Sequence, residues 1–88
     1  MKKNNLYSPK SLLGKDRLIS ESEATELINA VKGERNVTLD FAGIEEIGEA
    51  FAKELFIAWY HNNPDVMLSV IRANERVEET ISQVIRAK

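Results

Sequence analysis

The chain contains no cysteine. That excludes a disulfide frame, a thiol nucleophile and a cysteine-based zinc site, and a reducing cytoplasmic setting is the expectation. No apolar run approaches the ~20 residues a membrane span requires, so no membrane association is expected. The start, "MKKNNLYSPK", is basic but has no apolar segment behind it, so no secretory signal is expected there. Histidine occurs once, as His61, with no serine or cysteine beside it to build a hydrolytic constellation. Its place at the end of an expected helix suits the helix dipole instead. Neither GxGxxG nor GxxxxGK[ST] is present, and acids fill the only glycine-flanked turn, so no nucleotide or other cofactor is expected.

What is present is a chain of 88 residues, 43% apolar and 30% charged. This is ordinary for one globular domain and near the small end of what buries a core alone. The net charge of −2 is unevenly spread. Residues 1–17 carry five basic side chains against Asp16, whereas residues 18–60 carry nine acids against Lys32, Arg35 and Lys53. The aromatics Phe51, Phe56, Trp59 and Tyr60 fall in the acidic middle, not among the basic residues, so nucleic-acid binding is not expected.

Residues 1–16, with Asn4-Asn5, Pro9 and Gly14, read as a basic extended leader, with a short strand near Leu6-Tyr7 or Arg17-Leu18-Ile19. A domain is expected over 17–88. Ser20 followed by Glu23 is a capping box, and Ala24, Leu27, Ile28 and Val31 then share one helical face, closed by Gly33. "NVTLDF" alternates as a strand, with Val37, Leu39 and Phe41 on one side. A helix over 49–62, apolar around most of its circumference, stops at Asn62-Asn63-Pro64. "VMLSVI" reads as a central parallel strand, and Asn74 caps a last helix whose face is Val77, Ile81, Val84 and Ile85. The expected architecture is a small α/β sandwich with a short, mainly parallel sheet and three helices.

The carboxylates Glu45, Glu46 and Glu49, with Asp40 and Glu54 close in sequence, are the one cluster of oxygen ligands. Calcium-loop spacing is missing, and adjacent Glu45 and Glu46 point in different directions, so no metal site is expected.

The stretch "VTLDFAGIEEIGEAFAKELF" resembles the STAS fold of anti-sigma factor antagonists. It is more closely similar to the STAS-like family of unassigned function, through Val37, Leu39, Asp40, Phe41, Gly43, Ile47, Gly48, Ala50, Phe51, Ala52, Glu54, Leu55 and Phe56, with Ile44 in place of valine. "LISESEATELINAV" is also similar to that family's capped first helix. The resemblance covers about residues 17–87. It implies a non-catalytic interaction module whose partner is a histidine-kinase-like ATPase or another intracellular regulator. A full STAS domain has about four or five strands and only two are strongly marked here, so an uncovered sheet edge would also point to a second copy of the chain as a partner.

In anti-sigma antagonists the turn carries a serine that the partner phosphorylates. Aligned by motif, Gly48 stands at the turn aspartate, Glu49 at the first serine and Ala50 at the phosphorylated one. No hydroxyl remains between Ile44 and Leu55, so the usual phosphate switch has no acceptor. Lys53 stands where the family has aspartate. The partner-binding surface expected from this resemblance is Asp40, Glu46, Gly48, Glu49, Lys53 and Tyr60. The alternative is a small phage or mobile-element inhibitor whose acidic surface occupies a basic, nucleic-acid-binding site.

Overall fold

The computed structural model describes residues 6–87. The chain runs β1 (Leu6–Tyr7), α1 (Pro9–Leu13), β2 (Arg17–Leu18), α2 (Glu21–Val31), β3 (Asn36–Asp40) and β4 (Glu46–Ile47). A continuous helical rod follows, made of α3 (Glu49–Ala52), a π-helical segment (Lys53–Trp59) and α4 (Tyr60–Asn62). β5 (Met67–Ile71) and α5 (Glu75–Ala87) complete it. All strand pairs are parallel, in a three-stranded sheet of order β1-β3-β5 and a separate β2-β4 pair. The expected α/β architecture with a short parallel sheet is what the chain adopts.

The leader is where expectation and structure part. Residues 1–5 lie outside the described residues, but 6–16 are not merely extended. Ser8 accepts from the Ser11 N–H, Pro9 occupies the first helical turn, and Gly14 closes α1 at φ 69°. These are helix start and stop signals around a core of only five residues, too short to show a period. α1 is thus a fourth helix beside the three expected, and short strands form at both places read as candidates, Leu6–Tyr7 and Arg17–Leu18.

β5 is a second correction. It stands at the edge of the sheet, and β3 is the centre. An apolar strand is expected to be buried on both faces, but the helices cover one face only. Val37, Leu39 and Phe41 are buried there, with Tyr7, Leu68 and Val70 packed beside them. The alternate residues point to the open face, where Leu6 is 47% and Met67 66% exposed.

The capping box of α2 forms as read: the Ser20 hydroxyl accepts from the Glu23 N–H, and the Glu23 carboxylate accepts from the Ser20 N–H. Asn74 likewise caps α5, its Oδ1 accepting from the Val77 N–H at 2.8 Å. The 49–62 rod has the expected extent but not the expected winding. Its buried side chains Phe51, Leu55 and half-buried Trp59 recur every fourth residue, a longer step than the 3.6 residues of an α turn. Widening the middle to π geometry keeps that row against the core. Ala24, Leu27 and Val31 of α2 and Val77 and Val84 of α5 close over the rod from either side.

Candidate functional site

The turn that precedes the rod is held from two sides. The Glu45 N–H donates to the Asp16 carbonyl at 2.6 Å, and the Gly48 N–H donates to Leu18 at 2.9 Å. The Phe51 N–H donates to Ile19 at 3.3 Å, so the β2 strand and its extension supply acceptors to the first turn of α3. From the far side the Asn74 amide donates to the carbonyls of Ile44 (3.2 Å) and Glu45 (3.1 Å) while its oxygen caps α5. One side chain thereby joins the turn to the last helix.

Gly48 explains why this residue type stands at the start of the rod. A β-carbon there would lie 2.8 Å from the Ile19 carbonyl oxygen and 3.0 Å from its Cα. Its backbone is extended (φ −92°, ψ 164°), so close approach, not dihedral freedom, demands glycine.

The acids of the turn are mostly occupied. Glu45 takes the Arg17 guanidinium at 3.2 Å, and Glu46 lies between Arg76 (3.3 Å) and Arg17 (3.8 Å). Asp40 accepts both nitrogens of Arg72 at 3.1 and 3.0 Å, and the Ala42 N–H at 3.0 Å. The Arg72 contact first, and then the Ala42 N–H, hold the Asp40 carboxyl below its ordinary range. Arg72 keeps this reach from a left-handed backbone, φ 54°. Among the described residues no group of three acids or histidines converges to hold a metal ion.

The six residues expected at the interface therefore separate. Asp40 alternates with buried Leu39 and Phe41, so it faces the open side of the sheet, away from the rod. Glu46 and Gly48 belong to the clamp at the turn. Glu49, Lys53 and Tyr60 are exposed along the rod itself, and among the described residues neither Glu49 nor Lys53 has an ion-pair partner.

Two grooves that share Ile57 are lined in part by Lys53 and by Tyr60, and Glu49 directly precedes Ala50 in the wall of the first. One, of about 500 Å³, crosses α3 and the π-helical segment between Glu21 and Val84, with Lys53 and Glu54 in its wall. Burial first, and the neighbouring Glu21 carboxylate second, raise the Glu54 pKa. The other, of about 650 Å³, lies at the end of the rod among Phe56, Tyr60, His61, Pro64 and Ile85, with Tyr60 42% and Ile85 49% exposed. Sequence reading missed Ile57 and Ile85 as surface residues. A rod apolar all round gave no way to tell which side α2 and α5 leave open.

Among the described residues no helix is long and apolar enough to cross a membrane. No curated protein and no solved structure gives a significant match to the chain. The profile of the STAS-like domain of unknown function matches residues 23–78, from the capping glutamate of α2 through the turn and rod to the start of α5. This chain belongs to that STAS-like family.

Proposed function

We propose that the protein is a non-catalytic interaction module that docks a regulatory protein along the outer surface of the 49–62 rod. The observation that carries this reading is the pair of grooves meeting at Ile57, with unpaired Glu49 and Lys53 at one end and exposed Tyr60 at the other. Apolar hollows edged by a few charged and aromatic groups are how partner surfaces are built. The absence of a hydroxyl from Ile44 to Leu55 fits an interface that is not switched by phosphate at this turn. By family resemblance the partner is an intracellular regulator such as a histidine-kinase-like ATPase. The inhibitor reading draws less support, because Asp40, Glu45 and Glu46 are already neutralised by arginines of the same chain.

The test is a Glu49→Lys, Lys53→Glu double variant. Both side chains are exposed, so its thermal unfolding should match the parent while affinity for the identified partner falls at least ~10-fold. Unchanged affinity in a calorimetric titration removes this surface as the interface.

A further inference from the structure

The two edges of the three-stranded sheet are finished differently. β1 is two residues long and runs at once into Ser8-Pro9, which limits what can pair with it. β5 is five residues long, reads Met-Leu-Ser-Val-Ile, and contains no proline, no charge and no bulge. Exposed edges are usually blunted by one of those devices. Among the described residues nothing pairs with the outer side of β5.

The backbone groups on that outer side can be identified. The Met67 N–H donates to the Arg35 carbonyl at 2.7 Å, and the Ile71 carbonyl accepts from the Phe41 N–H at 3.0 Å. Successive residues of a strand direct their hydrogen-bonding groups to opposite sides, so Met67, Ser69 and Ile71 face β3. Leu68 and Val70 therefore turn their N–H and C=O groups outward.

We propose that β5 pairs antiparallel with β5 of a second copy, about a two-fold axis through Ser69, to make one continuous six-stranded sheet. The strand is self-complementary in that register. Leu68 and Val70 meet Val70 and Leu68 of the partner copy as hydrogen-bonded pairs, using every outward group of both residues. Ser69 meets its own equivalent at the close, non-hydrogen-bonded position, where two small side chains fit. Met67 meets Ile71 on the open face, where Met67 is otherwise 66% exposed. Continuing the register places Asp65 one residue from the position opposite Arg72, so opposite charges flank the pair. No like charges face each other. The pairing lies at the opposite side of β5 from β3 and makes no use of Glu49 or Lys53, so it is independent of the docking reading above.

The test combines sedimentation equilibrium with amide exchange on the full chain. The parent should self-associate to a dimer as concentration rises, with exchange at Leu68 and Val70 slowing in step. Val70→Pro removes an outward N–H and no bond to β3, and should weaken the dimer at least ~10-fold. Val70→Ala, which loses a similar amount of side chain but keeps the N–H, should still dimerise. Ser69→Lys, an exposed position, sets two cations face to face at the axis and should abolish the dimer while the monomer melts as before. The proposal is overturned by a chain that stays monomeric up to ~1 mM, the weak limit of specific association. It is equally overturned by a dimer whose Leu68 and Val70 amides ignore concentration, or one that Ser69→Lys leaves intact.

Discussion

The two ends of the 49–62 rod are built on opposite plans. At the start, four backbone or amide donors, a glycine chosen for closeness and two arginines lock the acidic turn to β2 and α5. At the far end a single side chain, Asn63, donates to the Trp59 carbonyl at 2.8 Å, and Tyr60, Pro64 and Ile85 border an open groove. Glu45 and Glu46 are thus engaged in holding the fold, Glu49 beside them stays free, and the plain apolar end borders an open groove. Conspicuous charge in a sequence marks where a residue must be solvated or paired, and pairing within the chain satisfies it as well as a ligand does.

That contrast can be broken at its tight end first. Gly48→Ala forces a β-carbon against the Ile19 backbone, and should cost about 1–3 kcal/mol in denaturant unfolding, as overpacking does. A cost below ~0.5 kcal/mol would show that the turn yields more easily than its contacts indicate.

A smaller effect follows from Glu23, which braces the segment Gly48 packs upon. Its carboxylate takes Lys15 and the N–H groups of Ser20 and Ile19, which lower its pKa from 4.5 to about 2. A depressed carboxylate contributes its stability in full above pH 4.5 and loses it as pH falls toward about 2. The group lies close to solvent, so the loss should be about 1 kcal/mol. Acid titration of the unfolding midpoint should show it, and Glu23→Gln should flatten the profile over that range.

The loose end should respond least. Ile85→Ser removes an apolar group that is already half exposed, and should leave the unfolding midpoint within ~0.5 kcal/mol of the parent. A large loss would mean that the far groove is part of the core after all, and the contrast between the two ends would fail.

How much of this was legible follows the range of the interactions. α2, β3 and α5 were readable because caps and apolar periods are local: Ser20 with Glu23, Val37 with Leu39, Asn74 with Val77. β1 and β2 are two residues each, so apolar residues at Leu6-Tyr7 and Arg17-Leu18 could mark one strand at either place but not that both form, nor what each pairs with. The edge position of β5 depends on how many strands lie beyond it, and nothing in Met-Leu-Ser-Val-Ile encodes that. The π winding comes from a packing demand met only when α2 and α5 close on the rod. In the candidate site, Lys53 and Tyr60 were correctly exposed. Asp40 and Glu46 found arginines about thirty residues away, a pairing with no local mark.

The parallel sheet has a consequence in time as well as in space. Each strand of it finds its neighbour about thirty residues along the chain, Leu6 at Thr38 and Asn36 at Met67. None of its ladders can be closed by a hairpin. During synthesis the helices α1 and α2 can form as they emerge, but β3 stays half-paired until the last third of the chain is released. Folding should then be slow for so small a protein, and the nascent chain exposes its central strand longest of all.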